Sequence, residues 1–148
     1  MIKGIVGNGS DKFTVLGQFR ARLIINSILN LPDKLCSGHS IMKGIDIWAE
    51  QIAINKGCYS KSLIMKPIKE HKEFYEIRNR MIAQYSNELH IIVAKQYPKK
   101  YTGKRFKICY HHKDEFRFTH VKSGACWTGN MFRQIHHKEP IYHVVDNY

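Results

Sequence analysis

Arg78-Asn79-Arg80-Met81-Ile82-Ala83-Gln84-Tyr85-Ser86 leads, two residues later, into Leu89-His90-Ile91-Ile92-Val93-Ala94. Met81, Ile82 and Tyr85 fall at helical spacing, so a helix is expected to open at the arginines and lay one face on a sheet. Leu89 to Ala94 holds almost no polar residue, as a central parallel strand covered on both faces requires. Cations in the opening turn of a helix oppose its macrodipole, which is easier to understand if an anion or a carboxylate compensates. Two solvated arginines on a surface helix are the plain alternative.

Toward the N-terminus the same rhythm repeats. Residues 2–6 form a short β-rich run that ends in Gly7-Asn8-Gly9-Ser10-Asp11. Residues 15–31 follow as an amphipathic helix through Val15, Leu16, Phe19, Leu23, Ile24, Ile28 and Leu31, stopped by Pro32. A strand, a glycine loop and a helix in that order suit phosphate binding, with loop N–H groups and the helix dipole turned to the anion. The spacing falls short of the full GxGxxG fingerprint, and a tight turn explains the glycines equally well. Residues 34–37 read as a second strand. Asp46 reads as the N-cap of a helix over 47–56 that Gly57 ends. Residues 62–65 read as a third strand, broken by Pro67, which makes Leu89 to Ala94 the fourth.

Beyond Ala94 the composition changes. Residues 95–122 carry nine Lys/Arg against Asp114 and Glu115, more than half of the chain's formal +12. Arg105-Phe106-Lys107-Ile108-Cys109-Tyr110 alternates, and so do Phe116 and Phe118 after a polar break, which predicts a basic β-hairpin inserted into the scaffold. Lys99, Lys100, Lys104, Arg105 and Lys107, interleaved with aromatics, suit a single-stranded nucleic acid; a solvated hairpin packed on the body is the alternative. Ser123 to Thr128 then leads to a helix over 131–137 and a last strand over 140–145. In a doubly wound sheet the first and fourth strands meet at the switch point, so Gly7–Ser10 and Ser123–Thr128 are expected to face each other across one cleft. Cys109, His111, His112, His120 and Cys126 are donors that suit zinc, but their spacings fit no standard finger. Scattered surface histidines are the simpler reading, and neither metal nor cofactor is expected.

The whole chain, 148 residues, has the length of a single domain. Its basic balance favours a polyanionic or phosphate-bearing partner. No apolar run approaches the roughly 18–20 residues of a membrane span. The first residues enter a strand directly, leaving no room for a signal peptide, and four dispersed cysteines without a CxxC pair suit a reduced, cytoplasmic protein.

Four stretches taken together resemble one family: Ile5-Val6-Gly7 to Ser10, Ser37-Gly38-His39-Ser40-Ile41-Met42-Lys43-Gly44-Ile45-Asp46 with Ala49, Arg78-Asn79-Arg80-Met81-Ile82-Ala83, and Ser123-Gly124 to Thr128. They are similar to the Smf/DNA-processing protein A family and the wider SLOG superfamily that joins it to LOG-type proteins. The resemblance implies a Rossmann-like fold that binds nucleotides, nucleotide-derived ligands or single-stranded DNA. The chain departs from the family in lacking flanking domains, in a very short link before Arg78, and in the 95–122 insert. It also lacks the Pro-Gly-Gly-x-Gly-Thr stretch with which the LOG branch hydrolyses nucleotide N-glycosidic bonds.

The reading that follows is a non-catalytic binding module of the doubly wound α/β class. Gly7, Gly9, Ser10, Gly38, Gly44, Ser123, Gly124 and Thr128 are the candidate phosphate cradle, with Asp46, Arg78, Asn79 and Arg80 completing the site. Arg80 is expected to face the cleft and Arg78 to brace it. The alternative is a hydrolase using Asp46 or Glu50 as acid/base. A homodimer is expected, formed through Trp48 beside Ile47 and Ile52; burial of Trp48 in its own core is the competing account.

Overall fold

A computed structural model describes residues 1–69, 71–112 and 119–148. Four strands, β1 (Ile2–Gly7), β2 (Lys34–Cys36), β3 (Glu88–Ala94) and β4 (Ile141–Val145), form one all-parallel sheet in the order β2-β1-β3-β4. Helices α1 (Val15–Ile28) and α2 (Ile45–Lys56) cover one face, and α3 (Lys72–Tyr85) and α4 (Ala125–His136) cover the other. The result is a Rossmann-like single-domain α/β fold. Pleating explains why β3 reads as continuously apolar: Leu89, Ile91 and Val93 pack toward α3 and α4, while Ile92 and Ala94 pack toward α1 and α2. All five are fully buried, and truncating one of the larger ones to alanine is expected to cost about 2–5 kcal/mol.

Three expected elements fall differently. Residues 62–65 are not a strand. Lys61–Leu63 is a 3-10 turn, and only Ile64 bridges to Ser37, so the tight turn consumes the residues that would have extended the sheet. Arg78 and Arg80 do not open their helix, because α3 begins at Lys72, with His71 accepting from the Glu73 N–H. Histidine is an unusual cap, which hid that start, and the macrodipole argument for a compensating anion lapses with it. Finally, Arg105 to Tyr110 forms turns and bends rather than a hairpin arm; Phe116 and Phe118 lie outside the described residues.

The helix starts also move. Gly44, at φ 77°, caps α2, which begins at Ile45 and leaves Asp46 inside the first turn. A side chain at Gly44 would come within 2.5 Å of the Asn8 carbonyl and the Ser10 nitrogen, so both the conformation and the close approach of two loops call for glycine. α4 starts at Ala125, six residues earlier than expected. Ser123 turns the chain by accepting from the Ala125 N–H, and Gly129 lets the helix approach Ile91 closely.

Helix α1 buries a different face from the expected one. Gly17, Ala21, Ile25 and Ile28 face inward, while Val15, Phe19 and Leu23 are exposed. The small residues allow the helix to sit against the C-terminal segment, where a methyl on Gly17 would strike the Asn147 side chain. Trp48 is buried in its own core, its ring 5.3 Å from that of Phe13, and is not available to a second copy. No helix among the described residues is long and apolar enough to cross a membrane.

Candidate functional site

From β1 the chain crosses to β2 on one side, and from β3 to β4 on the other. This divergence opens a crevice beyond the C-terminal ends of β1 and β3, the place where open α/β sheets hold ligands. A cavity of about 300 Å³ lies there, at the lower end of the roughly 300–1,000 Å³ usual for small-molecule sites.

Its floor is the turn Gly7-Asn8-Gly9. Asn8 holds that turn in place: its Oδ1 accepts from the Ala94 N–H at 2.9 Å and its Nδ2 donates to the Lys122 carbonyl at 3.1 Å. One buried amide therefore ties the end of β1 to the end of β3 and to the approach to α4. Gly7 lines the cavity and is also required by packing, since a methyl there would collide with the Ile92 carbonyl.

Asp46 and Arg78 line one side. Burial pushes the Asp46 carboxyl up to about 6, against the opposing pull of the Arg78 charge and the Ser40 N–H. Arg78 is half-buried and donates to Asn79 Oδ1 at 2.9 Å and to the Gly38 carbonyl at 3.2 Å. Desolvation lowers its pKa, partly offset by Asp46. No contact ion pair joins the two groups; they act on each other through space.

The opposite wall comes from the connection between β3 and α4. Tyr97 and Tyr101 stack with centroids 4.8 Å apart, and Phe106 stands beside them. Lys104 lies 4.8 Å over the Phe106 ring and Lys122 5.1 Å over it, while Lys12 lies 5.0 Å over Tyr101. Of the described residues around the cavity, Lys12, Arg78, Lys104 and Lys122 are cations and Asp46 is the one carboxylate. The remaining edge is the start of α4. Gly124 has open space where a side chain would project. The Thr128 hydroxyl is buried without a hydrogen-bond partner among the described residues.

Of the residues singled out in the sequence, the cavity gathers Gly7, Gly9, Asp46, Arg78, Asn79, Ser123, Gly124, Thr128 and Lys104. Others take different places. The N–H and hydroxyl of Ser10 both donate to the Met42 carbonyl, and Gly38 and Gly44 serve close packing. Arg80 is exposed, 5.9 Å over Trp127 and off the cavity, whereas Arg78 both lines the cavity and braces it through the Gly38 carbonyl. The helix start turned to the cavity is that of α4, because Thr14 and Asn147 close off that of α1. Arg105 donates to the carbonyls of Pro98, Lys99 and Tyr101 and so braces its own loop. Lys99 lies over Tyr148, and Lys100 and Lys107 are exposed. Glu50 bonds His39 at 2.6 Å, away from the cavity. Sequence reasoning missed Asn8, Lys12, Tyr97 and Tyr101; an amide between two glycines at a strand end was the available signal for Asn8.

The cysteines and histidines are not scattered. Ligand atoms of Cys109, His112, His120 and Cys126 all lie within 4.8 Å of one another, and only His112 among them is not fully buried. A hydrogen bond from Cys126 holds the Cys109 thiol down at about 5, and the same bond together with burial raises Cys126. His111, their neighbour in sequence, is not among the converging ligand atoms; its ring lies against Tyr110.

Fold and site together define a single-domain Rossmann-like protein with a cation-rimmed cavity at the switch point of its sheet. No protein-family model, curated protein or solved structure matches the chain.

Proposed function

We propose that this protein binds a nucleotide or a nucleotide-derived ligand without transforming it, in the cavity between β1 and β3. The observation that carries the reading is the division of the cavity into two chemistries. Four cations and the start of α4 favour a phosphate, while Tyr97, Tyr101 and Phe106 offer faces for a base. Thr128 supplies a buried hydroxyl that has no hydrogen-bond partner among the described residues. The likeness to the SLOG superfamily in the four stretches quoted above points the same way. Exposed Lys100, Lys104 and Lys107 would let a short single strand extend from the cavity along the basic connection. Four buried thiols with no disulfide among them suit the cytoplasm, and pairing of two copies belongs to the same family expectation.

The test is mass spectrometry of small molecules released from the purified, heat-denatured protein, followed by calorimetric titration with the compound found. A nucleotide that binds the wild type and loses affinity in Arg78→Met supports the reading. Absence of any nucleotide, with no heat on titration with adenine and guanine mononucleotides, refutes it.

One observation favours a second reading, a nucleotide N-glycosidic hydrolase. A carboxyl titrating near 6 inside a cavity is suited to proton transfer. Chromatography of nucleoside monophosphates incubated with the protein separates the two readings. Release of free base that disappears in Asp46→Asn establishes the hydrolase.

A further inference from the structure

We propose that Cys109, His112, His120 and Cys126 are the four ligands of a structural zinc ion. Two sulfurs and two imidazole nitrogens make a donor set that zinc prefers, and they converge on one point. Zn–N bonds of about 2.0–2.1 Å and Zn–S bonds of about 2.3 Å give a tetrahedron with edges of about 3.3–3.8 Å. Ligand atoms within 4.8 Å of one another need move only a fraction of an ångström each to reach it.

The surroundings prepare the donors. His120 Nδ1 lies 2.7 Å from the Val121 carbonyl, so that nitrogen carries the proton and Nε2 keeps its lone pair for a metal. That Nε2 is 2.8 Å from His112 Nε2 and 3.8 Å from Cys126 Sγ. A turn in which the His112 N–H donates to the Cys109 carbonyl brings the first two ligands together. Cys126 sits in the first turn of α4, where the helix dipole favours a thiolate. Binding leaves both cysteines as thiolates, any remaining thiol proton going to water, and both imidazoles neutral, the proton between them moving to the ring nitrogen that does not face the metal. Two thiolates then neutralise the doubly charged ion inside a buried cluster.

A second observation points to a cross-link. Residues 95–124 join β3 to α4 with no helix or strand among those described. Connections of that length without secondary structure are uncommon in a compact domain. This one nevertheless contributes Tyr97, Tyr101, Lys104, Phe106 and Lys122 to the cavity wall. Zinc would pin its far half, through Cys109, His112 and His120, to the helix that carries Cys126. Because all four positions belong to protein ligands, the ion has no place for water or substrate and its role is structural.

Elemental analysis of the full chain, produced in zinc-supplemented medium, is expected to find zinc equimolar with protein. Cys109→Ser and Cys126→Ser should lose it, while His111→Ala and Cys58→Ala should retain it. Chelation should lower the melting temperature of the wild type, and cobalt added to the stripped protein should give a thiolate charge-transfer band with tetrahedral d–d absorption. The cobalt titration needs no variant, so it decides even if the serine variants fail to fold. Wild type without metal and without a cobalt–thiolate band overturns the proposal. So do Cys109→Ser or Cys126→Ser proteins that keep full zinc, or a His111→Ala protein that loses it.

Discussion

Replacing Asp46 with asparagine should make the protein more stable above pH 6 and leave it little changed near pH 4. In the folded chain the Asp46 carboxyl is buried, and desolvation raises its pKa from 3.8 to about 6. Unfolded, it titrates at its ordinary value. Between these two values the folded state keeps a proton that the unfolded state has lost, so stability falls as pH rises through the window and stays lowered above it. A shift of about two units at roughly 1.4 kcal/mol each sets the loss at about 3 kcal/mol. Asparagine has nearly the same shape and can still accept from the Ser40 N–H, but has no charge to desolvate. Some of the gain is offset because Arg78 loses its opposite charge.

Urea denaturation of wild type and Asp46→Asn across that window measures the effect as a difference. The difference matters because other groups titrate in the opposite sense. His143 is pushed down to about 4 by burial and His90 is lowered too, and each adds stability as pH rises through its range. These contributions are common to both proteins and cancel. A stability difference that does not change with pH, or an asparagine variant less stable than wild type above pH 6, would refute the account of Asp46 as a charge held in a desolvated site.

Arg78→Met should raise the Asp46 titration further and weaken nucleotide binding by about 1.5–3 kcal/mol, whereas Arg80→Met should change calorimetric affinity by less than about 1 kcal/mol. Gly124 has helical dihedrals and open space around its Cα, so Gly124→Ala should leave thermal stability unchanged or raise it by up to about 1 kcal/mol while titration shows weaker binding. Gly7→Ala should do the reverse and unfold the protein at much lower urea, because its methyl meets the Ile92 carbonyl. Removing the charges of Lys100, Lys104 and Lys107 together should reduce the salt slope of single-strand binding by about two, at roughly 0.7 per counterion, with mononucleotide affinity less affected; an unchanged slope would mark these lysines as solvated surface.

The sheet was legible because its strands obey simple rules. Leu89 to Ala94 does not read as a half-exposed strand, since His90 is its single polar residue, and the chain packs both of its faces. The pairing of β1 with β3, and hence the crevice, followed from the doubly wound order. What escaped were elements whose signals were overridden by tertiary contacts. Lys61–Leu63 has strand-like neighbours but winds into a 3-10 turn, and α1 turns its large apolar residues outward because Gly17 and Ala21 fit more closely against the C-terminus.

The site was legible in part, and the reason for the rest is the placement of two helix starts. With α3 beginning at Lys72, Arg78 falls nearly two turns in, where it reaches Gly38 and the cavity; Arg80, two residues on, is carried round toward α4. Spacing along the chain alone suggests that two arginines separated by one residue share a task, but on a helix they diverge by about 200°. The start of α4 has the same effect on the cysteine and histidine cluster. Read as a loop up to residue 130, Cys126 has no fixed relation to the donors before it. Once α4 begins at Ala125, Cys126 occupies the first turn and the Ser123 carbonyl accepts from its N–H, which holds the thiol against His120. The same turn carries Thr128 and opens beside Gly124, so one helix start sets both a rim of the cavity and a corner of the proposed zinc site. Loss of the metal should therefore disturb the aromatic wall and the α4 edge together, and leave the Asp46 side, which is built from α2 and α3, largely as it is.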